Sequence, residues 1–331
     1  MKVLVTGGNG FLGSAICAQL AAQGHAVRAF NRSAPAQAAV REVEHWRGDI
    51  VDADAVLAAA EGVDAIVHSA GRVGAWGPAQ EYHDINVRGT EHVLAACARH
   101  GIRKLVFTSS PSVVQCGRDI EGDDESLPYP AHFASVYAQT KALAEQRVLA
   151  ANGADLATVA LRPHFIWGSG DPNLLPRVLA RARAGRLRLI GKVDKRVDIV
   201  HVDDAARAHV LALDKLGIGS PIAGKAYFIS QDEPITHARL FGEWLAAAGL
   251  PAETRRIPVW LAQALAAAFE GVYRALGVRS EPPLTRFIVE EFSTSHWFDI
   301  GAAKRDLGYA PQVGFEEGMR RLVQHLATNR A

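Results

Sequence analysis

A short apolar run, Lys2–Thr6, passes directly into Thr6-Gly7-Gly8-Asn9-Gly10-Phe11-Leu12-Gly13 and then into a helix-forming stretch. Few folds place glycines three apart at the junction of a first strand and a first helix. The arrangement suits a dinucleotide pyrophosphate: glycines let the backbone come close, and a helix N-terminus turns N–H groups and the positive end of its dipole toward the phosphates. The G-x-x-G-x-x-G spacing differs slightly from the commonest fingerprint, and a glycine-rich turn alone says little. Its strand–loop–helix setting carries the reading. Gly7, Gly10, Phe11, Leu12 and Gly13 are the expected pyrophosphate contacts.

The chain keeps that rhythm as far as Arg162. Val/Ile/Leu-rich runs at Ala26–Asn31, Ala65–Ser69, Lys104–Ser109 and Ala157–Leu161 alternate with helical stretches at Gly13–Gln23, Asp54–Ala60, Tyr82–Arg99 and Val136–Ala151. Strands covered by helices on both faces read this way. The fold class is therefore α/β, a doubly wound parallel sheet of the Rossmann kind. After Arg162-Pro163, proline and glycine punctuate the chain and basic residues cluster from Arg177 to Arg196. Residues 1–162 are expected to be mainly the NAD(P)-binding domain and 163–331 mainly a smaller substrate lobe. A strand-like Arg196–Val200 and the helix after it, about residues 196–215, are expected to return to the first domain.

Composition excludes several classes. Lysine plus arginine (36) balance aspartate plus glutamate (35), so no concentrated basic face calls for nucleic acid. Cys17, Cys97 and Cys116 form no C-x-x-C pair and read as reduced thiols. No secretory leader is read, and the most apolar stretch, Pro258–Phe269, is too short to span a bilayer. A cytoplasmic protein without a transmembrane segment is expected. No H-E-x-x-H or clustered Cys/His pattern occurs, so no metal is expected.

Cofactor choice is read at the end of the second strand. An NAD site usually places an acid there for the ribose 2′-hydroxyl. Here the segment is Asn31-Arg32-Ser33, and a guanidinium suits a 2′-phosphate. NADP is expected over NAD, unless Arg32 is only a solvated charge. Asp49, in Gly48-Asp49-Ile50, is placed against the adenine amine or, as the plainer alternative, in a turn.

Tyr137-Ala138-Gln139-Thr140-Lys141 sets a phenol and an ammonium at i and i+4 on one helix face. The run Phe107-Thr108-Ser109-Ser110 before it brings hydroxyls to the carboxyl edge of the sheet, where doubly wound folds bind ligands. Ketone reduction needs a hydride and a proton. Tyr137 is the candidate general acid, Lys141 the cation that favours its phenolate, and Ser110 the hydrogen-bond partner of the substrate oxygen.

Together with Asp49-Ile50, His68-Ser69-Ala70, Asn86–Thr90, Leu161–Asp171 and Val200–Asp204, these motifs resemble the extended short-chain dehydrogenase/reductase superfamily over nearly the whole chain. The resemblance implies that Ser110 is the catalytic serine, with Ser109 beside the cofactor. It implies that His68, Ser69 and Ala70 line the cofactor channel and that Asn86 braces the site. Pro163 and Ile166 would flank the nicotinamide, and Lys141 would hold its ribose. Superfamily members also imply a homodimer packed through the Tyr-x-x-x-Lys helices.

Sugar-nucleotide epimerases of the superfamily carry R-x-x-N after the sixth strand; here Arg162-Pro163-His164-Phe165 ends in phenylalanine. The Leu161-Arg162-Pro163…Ile166-Trp167-Gly168-x-Gly170-Asp171 pattern is instead similar to the 3β-hydroxysteroid dehydrogenase branch. Within it, Gly74-Ala75-Trp76-Gly77, Lys141–Asn152, Gly224–Ser230 and Glu281–Phe287 resemble the bacterial 2-alkyl-3-ketoalkanoate reductases of olefin biosynthesis. That resemblance implies NADPH-dependent reduction of an apolar 2-alkyl-3-oxo acid. It also implies a β-lactone synthetase and a decarboxylating hydrolase as pathway partners. A 3β-hydroxysteroid dehydrogenase is the alternative enzyme, and a non-catalytic NADP sensor the alternative of another class. His164 and Trp76 are candidate substrate contacts. The apolar stretch Val259–Leu276 remains open between core, acyl-chain site, oligomer interface and membrane-surface patch. The run Arg177–Arg196 reads as a solvated face or an attractor of acidic ligands.

Overall fold

The structure is a computed structural model describing residues 1–34 and 42–328. One sheet of seven parallel strands organises it: β1 (Lys2–Thr6), β2 (Ala26–Asn31), β3 (Val43–Arg47), β4 (Ala65–His68), β5 (Lys104–Thr108), β6 (Ala157–Pro163) and β7 (Lys225–Ile229). Their spatial order is β7-β6-β5-β4-β1-β2-β3, so the direction of progression reverses at β1 and β4. That reversal opens the crevice in which such sheets bind ligands. Val3, Leu4 and Val5 are wholly buried, as are all residues of β4 and β6, because helices cover both faces.

Two strands show little in local sequence pattern, for different reasons. In β3, Glu44, His45 and Arg47 point away from the core and only Val43 is buried, so this edge strand shows no apolar run. The last strand, β7, pairs beside β6 from Lys225↔Val159 to Ile229↔Pro163 after a long excursion through the second lobe. Local pattern cannot reveal that return.

Helix α1 (Phe11–Ala22) follows the glycine loop, and α2 (Val136–Ala150) carries Tyr137 and Lys141. Ser135 caps α2 by accepting the Ala138 N–H at 3.1 Å. A third helix, α3 (Val202–Lys215), lies on α1, with Ala205, Ala206, Ala208 and Ala212 buried; small side chains let the helices approach. The stretch read as one helix from Tyr82 to Arg99 contains a π-turn at His83–Arg88. Such a bulge swings side chains off the ordinary α register, and here it buries Asn86. Arg196–Val200 is likewise not one strand. Arg196–Val197 and Val200–His201 join different sheets, and between them Asp198 accepts the Phe298 N–H at 2.8 Å.

Beside the main sheet lies a four-stranded sheet ordered Ile235–Thr236, Arg196–Val197, His296–Phe298, Ile120–Asp123. The core of the second lobe gathers Trp167, Leu175, Leu179, Phe241, Trp244 and Phe315. The two outermost helices relevant to the site are α4 (Val259–Ala275) and α5 (Arg286–Ser293). No helix among the described residues is long and apolar enough to cross a membrane.

Candidate active site

The loop after β1 is a backbone cradle. Gly7 sits at φ +73°, its N–H donates to the Phe30 carbonyl, and its own carbonyl accepts the Gly10 N–H at 2.8 Å. A Cβ at Gly13 would lie 2.0 Å from the Gly7 oxygen, and one at Gly7 would lie 2.9 Å from the Ala70 nitrogen. Only bare backbone fits. Gly10 starts α1 without a side-chain cap, so the first-turn N–H groups beside Phe11 and Leu12 are left for a ligand. A diphosphate fits this cradle, and the residues present suit a dinucleotide.

Beyond it, Asn31 Oδ1 accepts the Asn9 N–H at 2.9 Å, stiffening the crest of the loop. Arg32 is solvent-facing, with its side chain 68% exposed and Nη1 3.9 Å from Asp49 Oδ2. Ile50 is buried under the same edge, against Gly89.

At the end of β4, His68 is fully buried between two threonines. Thr90 Oγ1 donates to the Asn86 carbonyl, so it accepts from His68 Nε2–H at 3.0 Å. His68 Nδ1 then accepts from Thr6 Oγ1 at 2.6 Å, and Thr6 Oγ1 accepts the Ala70 N–H. The His68 side chain thus ties β1, β4 and the Asn86 helix together and turns away from the channel. Burial, then the Lys141 charge, push its pKa down to about 3. Ser69 donates its N–H to the Thr6 carbonyl. Asn86 clamps Arg72 by both backbone groups, at 2.7 and 3.1 Å, and donates to Thr140 Oγ1 on α2 at 3.0 Å.

Ser110, Tyr137 and Lys141 converge at the carboxyl edge. Ser110 stands beside the Tyr137 phenol, and its Oγ accepts the Ser112 N–H at 3.2 Å and the Ser112 hydroxyl at 3.0 Å. Ser109 Oγ is buried without a partner among the described residues, a polar atom awaiting one. Lys141 Nζ donates to the Thr108 carbonyl at 2.5 Å and lies 4.1 Å above the Phe107 ring. Burial lowers its pKa to about 7. The Tyr137 phenol is raised, by burial first, against the lowering effect of Ser110, with Glu291 and Tyr82 adding to the rise. In this structure the Lys141 amine spends its hydrogen bond on the Thr108 carbonyl.

Helix α2 is held by an ion pair that sequence reading missed. Glu145 accepts from Arg162 Nε at 3.0 Å and Nη2 at 2.6 Å, and from the Tyr129 hydroxyl at 2.6 Å, all buried against β6. Past Arg162, Pro163 ends β6 opposite Ile229, and Ile166 pairs with Val200.

His164 is buried, with no exposed face for a substrate. Its Nε2 meets His296 Nδ1 at 3.1 Å, and His296 Nε2 donates to the Glu291 carbonyl at 2.7 Å. Next to it Phe165 holds φ +35°, a strained value for a non-glycine residue. Side-chain donor atoms of His164, Glu291 and His296 lie within 4.8 Å of one another, a grouping that folding makes from two distant segments. Burial drives His164 well below the ordinary histidine range and raises the Glu291 carboxyl to about 8.

Above Tyr137 lies a cavity of about 780 Å³. Trp76 lines it, donating Nε1–H to the Val278 carbonyl at 3.3 Å and meeting Tyr273 edge-on. The wall that Trp76 packs on was not foreseen: Glu270, Arg274, Arg279 and Arg286 bring charge from α4, α5 and the loop between them. Glu270 is buried and pairs with Arg274 at 3.0 Å and Arg286 at 3.1 Å. Such residues lie far from the glycine and Tyr-x-x-x-Lys motifs in the chain, and no local signal marks them.

Fold and site together define an NAD(P)-dependent oxidoreductase of the extended short-chain dehydrogenase/reductase type, acting between an alcohol and a ketone. A model of the 3-beta hydroxysteroid dehydrogenase/isomerase family matches residues 4–259, and the chain belongs to that family. It is 51% identical to the 2-alkyl-3-oxoalkanoate reductase of Stenotrophomonas maltophilia, covering 97% of this chain and 98% of that one. The 2-alkyl-3-oxoalkanoate reductase of Shewanella oneidensis is 47% identical, over 97% and 85%. A Mycobacterium tuberculosis 3 beta-hydroxysteroid dehydrogenase/Delta 5→4-isomerase is 36% identical, over 94% and 86%. The fold is shared with Thermus thermophilus UDP-glucose 4-epimerase in complex with NAD, at TM-score 0.75 and 25% identity over 99% of each chain. It is shared also with Bacillus cereus UDP-glucuronic acid 4-epimerase in complex with NAD, at TM-score 0.76 and 22% identity over the full length of both.

Proposed function

We propose that this protein reduces the 3-oxo group of a long-chain 2-alkyl-3-oxoalkanoic acid to the 3-hydroxy acid with NADPH. The observation that carries the reading is the gathering of Ser110, Tyr137 and Lys141 at the carboxyl edge of the sheet, beside a cavity of about 780 Å³ that Tyr137 lines. A cavity of that size suits a small-molecule ligand. The relatives named 2-alkyl-3-oxoalkanoate reductase support the substrate class. When bound, the nicotinamide supplies the hydride. Ser110 and Tyr137 then share the carbonyl oxygen, and the phenol gives up its proton as the alkoxide forms. With its pKa raised, Tyr137 is protonated at neutral pH and ready to act as the acid. Lys141, one helical turn away, would hold the nicotinamide ribose and place a positive charge near the phenolate left behind.

Arg32 supports NADPH: its guanidinium is exposed at the end of β2, with only a long contact to Asp49. A 2′-phosphate offers it a stronger, charge-assisted partner. Residues 1–162 and β7 would bind the cofactor, and the second lobe the alkyl chains. The product, a 3-hydroxy acid, fits the β-lactone route to olefins.

The test is nicotinamide absorbance with NADP and a synthetic 2-alkyl-3-hydroxy acid, run in reverse because the hydroxy acid does not decarboxylate. Stereoselective oxidation supports the proposal. Turnover of a 3β-hydroxysteroid with none of the hydroxy acid assigns the sterol activity instead.

A further inference from the structure

Helix α4 is built inside out. Its buried positions are Ala262, Ala266 and Glu270, spaced four apart, two of them alanines. Its large apolar side chains face outward: Trp260 is 71% exposed, Val272 52%, Leu276 72%, with Val259 and Leu265 also exposed. Val193, 69% exposed, stands in a neighbouring loop, where Gly191 packs against Val259. A soluble surface rarely leaves so many large apolar side chains uncovered together.

The surroundings of this face are basic. Leu189–Ile190 pairs with Arg256–Ile257, the strand that leads into α4, so the Arg177–Arg196 run is brought to the same edge. Arg183, Arg186, Lys192 and Arg279 are exposed and have no acidic partner among the described residues. Between Thr254 and Ser280 the one acid is Glu270, and it is turned inward to hold Arg274 and Arg286. Inside α4, the same helix lines the Tyr137 cavity through Glu270, Tyr273 and Arg274.

We propose that α4 and the Lys192-Val193 loop dock on an anionic lipid surface, laying the helix in the headgroup layer with the cavity just beneath it. An apolar face edged by cations fits such a surface. A symmetric contact between two copies would set cation against cation, and the helix is too short to span a bilayer. The use of this docking rests on the long-chain substrate proposed above: an acid with two alkyl chains dissolves in the bilayer, and α4 is the wall between bilayer and cavity.

The experiment is co-sedimentation of the full chain with vesicles of phosphatidylcholine alone or with phosphatidylglycerol added. The wild type is expected to bind the phosphatidylglycerol vesicles about tenfold or more tightly, with the preference fading in high salt. Trp260→Glu with Leu276→Glu should abolish binding, and Lys192→Glu should weaken it about tenfold. Neither variant touches the catalytic groups, so NADPH affinity should be unchanged in both, which also certifies the fold. The proposal is overturned if the wild type stays in the supernatant with both vesicles, or if the double variant binds as well as the wild type. It is equally overturned if the double variant only converts a dimer to a monomer. These readouts need no turnover, so a failed substrate assignment leaves them intact.

Discussion

Tyr137 and Glu291 are neighbours whose protons burial holds in place, and each makes a prediction. Removing the phenol by Tyr137→Phe should lower turnover by ~10²–10⁴ while leaving NADPH affinity near that of the wild type. Stopped-flow absorbance and a fluorescence titration measure the two quantities, and unchanged turnover would remove Tyr137 from the reaction. Arg32→Asp should move preference from NADPH toward NADH in the same assay; an unchanged ratio places the 2′-phosphate contact elsewhere. Glu291 is raised to about 8 by burial, then by Glu290, against a bond from Gln115. The unfolded chain loses this proton near the ordinary glutamate value of about 4.3. Between those values the folded chain holds a proton that the unfolded chain has released, so stability falls as pH rises to about 8. Glu291→Gln should therefore raise Tm at pH 8 by roughly 2–4 °C per kcal/mol recovered, and change it little at pH 4. Calorimetry at the two pH values decides. Ser110, Tyr137 and Lys141 were legible in the chain because their spacing and flanking strands are local, while Asn86 was expected only from the family resemblance. The His164–Glu291–His296 grouping was not legible, because two segments far apart in the chain meet there.

At the scale of elements, the glycine loop leaves no slack. The Gly13 site is closed by the Gly7 carbonyl, so Gly13→Ala must push the loop or tilt α1. Overpacking of this kind costs ~1–3 kcal/mol, and most of it falls on the pyrophosphate cradle. A ten- to hundred-fold rise in the Kd for NADPH, roughly, is expected by fluorescence titration. An unaltered Kd would mean that the cradle is not where the cofactor binds. Strands β1, β2, β4, β5 and β6 could be read from the sequence because buried parallel strands are continuous apolar runs. The π-turn at His83–Arg88 could not, since it preserves helical spacing on either side. The same limit applied to α4: periodicity shows an apolar stripe but not whether it faces core or solvent. Only the fold, by burying the alanine face, turned Trp260 and Leu276 outward.

Across the whole molecule, six buried histidines, His201 among them, set how stability depends on acid. Burial brings His68 to about 3 and His209 and His296 to about 4, and holds His164 and His237 well below the usual range. Below about pH 6.5 an unfolded chain takes up protons that these residues refuse when folded, so stability is lost as pH falls. Glu291, Asp198, Asp171, Glu125 and Glu290, all raised by burial, act in the opposite sense over part of the same range, and the six histidines outnumber them. Tm is expected to drop from pH 7 to pH 5; a flat profile by calorimetry would show that the histidines are open to solvent. From the chain alone came the doubly wound fold, the glycine loop and the Ser-Tyr-Lys set, because each is written in residues a few positions apart. Folding alone decided the charged wall of the cavity, the histidine–glutamate grouping and the outward face of α4. Those features depend on which distant surfaces are buried against one another, and burial is a property of the packed chain, not of any local stretch.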